Sequence, residues 1–127
     1  MKIFILEDSK ERIKWFKEVF SSESNLFFAD NVEEAKKILL ENSEFDILFL
    51  DHDLDQKIFV NSNEQNTGYQ LARFLVENKI SFMSIIIHSM NIFGSCRMFD
   101  VLKKISENVH RVPFPILRYR VWRKSQK

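Results

Sequence analysis

Residues 45–54 read FDILFLDHDL, Phe45 through Leu54. A mostly apolar run passes directly into three ionisable residues, Asp51, His52 and Asp53. An apolar run without polar alternation fits a strand covered on both faces, as in the middle of a parallel sheet. In an open α/β sheet, ligands bind beyond the carboxyl ends of the strands, and this carboxylate–imidazole–carboxylate triplet begins at such an end. Two other stretches repeat the arrangement: KIFIL runs into Glu7-Asp8, and FMSIII runs into His88-Ser89. The three polar tips are read as parts of one site.

Working outward, Lys2–Leu6 is expected as the first strand. Ser9 can cap a helix in which Ile13, Phe16, Val19 and Phe20 recur at helical spacing, with Arg12 one turn beyond Asp8 and able to lean over the sheet. Ser21–Asn25 is a polar break before a short second strand, Leu26–Ala29. Asp30 or Asn31 then caps a helix that buries Val32, Ala35, Ile38 and Leu39 and turns Glu33, Glu34, Lys36 and Lys37 to solvent. The third strand is Asp46–Leu50. Leu54–Asn66 has no period, and a long structureless connection after the acidic triplet reads as a lid. Thr67-Gly68 opens a helix with Leu71, Phe74 and Leu75 buried. Ser81–Ile87 is the fourth strand, Ser95–Glu107 the next helix with Met98, Val101, Leu102 and Ile105 inward, and Val109–Val112 the fifth strand. Pro113 and Pro115 close that strand. In the tail, 116–127, Leu117, Tyr119 and Val121 alternate with Arg118 and Arg120, which suits an edge strand. A basic, aromatic tail can also grip phosphates or bases.

Strands alternating with helices require right-handed crossovers and a parallel sheet. The expected fold is a single α/β domain over residues 1–127, a doubly wound three-layer sandwich with strand order 2-1-3-4-5. The first, third and fourth strands are then neighbours, and at about 4.8 Å per strand their tips fall within roughly 10 Å. Asp8, Asp51, His52 and His88 are therefore expected to meet.

Composition narrows the function. The hydrophobic fraction of 45% supports a packed core and argues against disorder, and the thirteen Phe residues fall mainly at core positions. The formal net charge of +1 does not indicate a nucleic-acid binder held by global charge, and duplex DNA is not expected as a partner. A lone cysteine, Cys96, excludes an internal disulfide. Glu7-Asp8 follow Met1 too closely for a signal peptide, and no apolar run approaches a membrane span, so a soluble cytoplasmic protein is expected.

Four acids at strand tips, Glu7, Asp8, Asp51 and Asp53, repel one another unless a cation or a proton sits among them. Hard oxygen ligands suit Mg²⁺ or Mn²⁺, and an added imidazole favours a transition metal. His52 and His88 can serve as acid and base near neutrality, which phosphodiester hydrolysis requires. Ser89 and Asn91 can donate to phosphate oxygens, and Thr67-Gly68, at a helix start, can do so through backbone N–H groups. His110 has no comparable neighbours and is read as structural.

These residues make the chain resemble the receiver domains of response regulators: Glu7-Asp8 match the metal-binding acids, Asp51 the phosphoacceptor and Ser89 the switch residue. The lysine such domains carry after the fifth strand is absent, with only Arg111 nearby, and His52, Asp53 and His88 are additions. A closer resemblance is to the cyclic-phosphate processing receiver domains, carried by ILEDSKER, LFLDHDL, Thr67-Gly68 and IIIHSMNIFGSCRM. The resemblance implies a site of Asp8, Arg12, Asp51, His52, Asp53, His88, Ser89 and Asn91, with Arg97 and Met98. It also implies a ligand such as a 2′,3′-cyclic phosphate at an RNA end or a cyclic nucleotide signal of bacteria–phage conflict. The expected function is a phosphodiesterase that opens a cyclic phosphate. One histidine would activate water and the other protonate the departing oxygen, with Asp8, Asp51 and Asp53 holding a cation and Arg12, Ser89 and Asn91 the phosphate. The rivals are a protein that sequesters a cyclic nucleotide under the 54–66 loop and a signalling module phosphorylated on Asp51. A homodimer is compatible with each.

Overall fold

The computed structural model describes residues 1–20 and 24–126. Most of the polar break expected at Ser21–Asn25, and the last residue of the basic tail, Lys127, lie outside them. The elements are β1 (Lys2–Leu6), α1 (Lys10–Phe20), β2 (Asn25–Ala29), α2 (Val32–Glu41), β3 (Phe45–Leu50), α3 (Gly68–Asn78), β4 (Phe82–Ile87), α4 (Ile92–Leu102), β5 (Val109–Arg111) and α5 (Phe114–Ser125). The five strands form one parallel sheet in the order β2-β1-β3-β4-β5, as expected from the sequence.

Register positions the site. Ala29 is level with Leu6, Leu6 with Leu50, and Leu50 with Ile87, so these strands end together. The ladder continues one residue further: Glu7 N–H donates to Ala29 O, Asp51 N–H to Leu6 O and His88 N–H to Leu50 O, each at 3.0–3.1 Å. The polar tips are thus held by backbone bonds, which a loop would not supply.

Side chains alternate across the sheet. Ile3, Ile5 and Phe49 pack with Phe16, Phe114 and Leu117 beneath α1 and α5. Phe4, Leu6, Leu48, Leu50, Ile85 and Ile87 pack with Leu39, Leu71, Leu75 and Met98 beneath α2, α3 and α4. Local signals set the helix starts. Asn31 caps α2 by accepting the Glu34 N–H, Thr67 caps α3 through Gln70 N–H, and Asn91 caps α4 through Gly94 N–H. The Asn91 cap starts α4 at Ile92, earlier than the Ser95 expected.

The tail corrects the sequence expectation. It is not an edge strand but the helix α5, and β5 itself forms that edge of the sheet. Pro113 is the N-cap residue and Pro115 lies in the first turn, where a missing N–H costs nothing. The face of the sheet carrying Ile3, Ile5 and Phe49 also needs a second cover beside α1, and Phe114 and Leu117 supply it. Among the described residues, no helix is long and apolar enough to cross a membrane.

Phe16 is fully buried and meets Phe20, Phe49, Phe114 and the His88 ring. Phe16→Ala is expected to lower the free energy of unfolding by about 3–5 kcal/mol, read from denaturant melts. A loss under 1 kcal/mol would contradict this packing.

Candidate functional site

At the carboxyl rim of the sheet lies a cleft of about 410 Å³. Its floor carries Glu7, Asp8, Asp51 and Ser89, Arg12 leans in from α1, and Gln56–Phe59 and Met90 form its outer walls. Glu7, Asp51 and His88 each follow a strand residue by one position, and all three side chains point to the α1–α5 side of the sheet. His52 is one residue out of phase with Asp51 and points to the other side.

Glu7 is buried and fully engaged. Its Oε1 accepts from His88 Nε2 at 2.9 Å, and its Oε2 accepts from the Asp8 and Ser9 N–H groups at 3.0 Å. Burial alone would raise this carboxyl, but the His88 bond and charge, the Ser9 N–H and Arg12 outweigh it and hold it below its ordinary value. Asp51 has weaker support: Oδ1 accepts from the His52 N–H at 2.8 Å, and Oδ2 lies 3.8 Å from Arg12 Nη1. Burial, with the Glu7 charge adding to it, pushes Asp51 up to about 7. Arg12 Nη1 also lies 3.6 Å from Glu7, while the guanidinium stacks on the Phe114 ring at 4.7 Å. Two buried acids thus share one cation and one mobile proton.

The histidines do not meet. The His88 ring lies against Phe16 and Phe114, with Nδ1 buried and unpartnered. Against an ionised Glu7, its Nε2 must carry the hydrogen. His52, equally buried, bonds Asp53 through Nδ1 at 2.8 Å and Ser62 through Nε2 at 2.9 Å, and its ring lies beside Gly94. Neither imidazole lines the cleft.

The remaining expected residues divide between cleft and frame. Asp8 lines the cleft, but its Oδ2 accepts the Gln56 N–H at 2.6 Å; burial, helped by the Glu7 charge, raises it. Asp53 accepts from His52, Asn91, Phe59 and Val60, bonds that outweigh its burial and lower it. It fastens the 54–60 loop. Ser89 accepts from the Asn91 N–H, and Asn91 donates to Asp53 and to Val60 O; both residues line the cleft. Thr67 is buried, donating to Glu64 O and capping α3. Gly68 lies so close behind Asp51 that an added Cβ would sit 2.0 Å from the Asp51 carbonyl oxygen. Both are away from the cleft. Arg97 stacks on Tyr69 in a neighbouring groove, and Met98 is core. Sequence reasoning missed Gln56, Lys57, Phe59 and Ser62, which reach the site through loop contacts that no periodicity marks.

The family of cyclic-phosphate processing receiver domains matches the chain over residues 1–104. The chain belongs to that family. No curated protein matches it. Among solved structures, the N-terminal domain of an uncharacterized protein from Wolinella succinogenes is similar at 15% identity, over 99% of this chain and 90% of that one, with a TM-score of 0.71. The receiver domain of a Francisella response regulator, 1452, is 21% identical over 99% and 98%, with a TM-score of 0.61. The Mn²⁺-bound form of the response regulator Rcp1 is 15% identical over 87% and 78%, with a TM-score of 0.59. At these identities the likeness is one of fold, and it agrees with the sheet order of this cyclic-phosphate processing receiver domain.

The raised Asp51 carboxyl has a defined effect on stability. Between its ordinary value of 3.8 and about 7, the unfolded chain releases a proton that the folded chain keeps. Stability is therefore lost as pH rises through that window, and the penalty is complete above it. Asp51→Asn keeps the acceptor for the His52 N–H and removes the acid. Its thermal midpoint is expected to exceed wild type by several degrees at pH 8, the gain vanishing towards pH 4. A pH-independent difference would show an ordinary carboxylate.

Proposed function

We propose that this protein hydrolyses a cyclic phosphate carried by a nucleotide, and that the cleft above Asp51 is its active site. The carrying observation is a buried acid poised near neutrality, open to the cleft and sharing the Arg12 guanidinium with Glu7. A group with that protonation behaviour is suited to proton transfer at physiological pH. Arg12 and Lys57 offer charge to phosphate oxygens. Ile58, Phe59 and Met90, all largely exposed at the mouth of the cleft, offer an apolar surface to a base or ribose. Membership in a family described as cyclic-phosphate processing supports the same ligand.

In this reading Asp51 takes the proton of the attacking water as its oxygen bonds to phosphorus, the ring P–O bond breaks, and the departing oxygen takes a proton from water in the open cleft. Arg12 offsets the charge that gathers on the phosphoryl oxygens. His88 orients Glu7, and His52 holds Asp53 and with it the loop, so both histidines position other groups. Glu7, Asp51 and His88 each present a ligand atom within 4.8 Å of the others, a donor set of two oxygens and one nitrogen that fits Mn²⁺ better than Mg²⁺. The burial that raises Asp51 would be relieved by such an ion. When bound, a divalent cation would acidify a water and polarise the phosphoryl group. The Mn²⁺-bound relative supports a metal in this fold.

Incubation with cyclic mononucleotides, cyclic dinucleotides and cyclic-phosphate-ended RNA, with and without EDTA, should yield a ring-opened monoester from at least one of them by chromatography. Asp51→Asn should lower turnover by about 10²-fold or more, and Arg12→Ala should lower kcat/KM by about tenfold or more. Loss in EDTA with rescue by Mn²⁺ assigns the cation. Turnover unaffected by EDTA leaves proton transfer to Asp51, with a rate that rises through about pH 7. Saturable binding with intact ligand recovered would replace the enzyme by a sequestering protein.

A second reading, phosphorylation of Asp51, is favoured by its place at the end of β3 in a receiver fold. Against it, Arg111 is engaged with Cys96 and Phe99 and does not line the cleft. Acetyl phosphate labelling that is lost in Asp51→Ala but kept in His88→Ala would favour it.

A further inference from the structure

The helix α5 begins ten residues beyond the family match, and the function proposed above makes no use of its outer surface. Only Phe114 and Leu117 of this helix are buried. Over Phe114–Ser125 it carries Arg118, Arg120, Arg123 and Lys124 and no acid, in a chain whose formal net charge is +1. Pro115, Arg118, Tyr119 and Trp122 recur at helical spacing and, with Trp15 of α1 and Phe114, line a groove of about 450 Å³. Tyr119 and Trp122 are 54% and 57% exposed, with ring centroids 5.9 Å apart and planes inclined by 36°. The acids nearest this surface are Glu11 and Glu18 of α1, in the adjoining groove beside Lys14, Trp15 and Arg118; Glu18 is paired with Lys14 at 3.9 Å.

Flat aromatic rings interleaved with cations suit a polymer of stacked bases and phosphates. Unpaired bases offer faces to such rings, whereas a duplex keeps its bases stacked inside. A second copy docked face to face on α5 would oppose the cations of one helix to those of the other, with no acid on either. We propose that α5 and the α1–α5 groove form a binding surface for single-stranded nucleic acid, with Tyr119 and Trp122 stacking bases and Arg118, in the groove, and Arg123, one turn from Tyr119, holding phosphates.

The groove joins the cleft through one side chain. Phe114 carries the Arg12 guanidinium at 4.7 Å, on the cleft side, and that of Arg118 at 5.9 Å, on the groove side. Resting on the cleft reading above, a strand held in the groove would run toward Arg12 past Phe114.

The test is fluorescence anisotropy of a short labelled RNA strand ending in a 3′-hydroxyl, which reads α5 without calling on the cleft. Saturable binding is expected. Trp122→Ala should weaken it about fivefold or more, and Trp122→Phe should retain it. The pair Arg118→Ala and Arg123→Ala should reduce the slope of log affinity against log salt by about 1.4. Turnover of a cyclic mononucleotide should be unchanged in these α5 variants. Absence of strand binding, equal affinity in Trp122→Ala, or tighter binding to duplex, to anionic lipid vesicles or to an acidic peptide would overturn the proposal. Strand binding without hydrolysis of any cyclic phosphate would remove the cleft reading and leave the α5 surface standing.

Discussion

The site depends on a register. Because Leu6, Leu50 and Ile87 are level across the three central strands, the next residue of each, Glu7, Asp51 and His88, must emerge at the same height. The bonds from their own N–H groups to the neighbouring strands fix them there. The alternation of side chains then sends all three to one side of the sheet. A slip of one residue in β3 would exchange Asp51 for His52 at that position and take the acid away from Glu7 and Arg12.

The chemistry of the cleft follows from crowding. Two carboxyl groups are brought out of water beside one guanidinium and one imidazole. Glu7, with the His88 ring and two backbone N–H groups around it, keeps its charge. Asp51, with one backbone donor and a more distant Arg12, keeps its proton to about pH 7. Two acids of similar intrinsic strength are driven apart by unequal hydrogen bonding, the usual origin of separate proton-handling roles.

Much of this was legible in the residues. The apolar runs and the intervening helical periods imply a parallel doubly wound sheet, and the polar tips of β1, β3 and β4 mark the rim. The separation of the two histidines was also within reach. His52 has the parity of Leu48 and Leu50, His88 that of Ile86, and those residues face opposite layers. Proximity in sequence to Asp51 obscured this, because adjacent residues in an extended chain point apart. The tail misled for a different reason. Leu117, Tyr119 and Val121 alternate by chance, and the buried positions Phe114 and Leu117 make too short a stripe to announce a helix. The loop contacts of Gln56, Phe59 and Ser62 join distant parts of the chain and leave no local pattern.

The 54–60 loop has a consequence for molecules that enter the cleft. Asp55, Gln56 and Phe59 adopt left-handed backbone conformations, which non-glycine residues reach only at a cost of roughly 1 kcal/mol or more each. They are kept there by main-chain bonds to carboxylates, Gln56 to Asp8 and Phe59 to Asp53. The wall carrying Lys57, Ile58 and Phe59 is consequently cast before any visitor arrives, its ordering entropy settled as the chain folds. Association then has little disorder to quench, and selectivity falls to the shape of a mould already set.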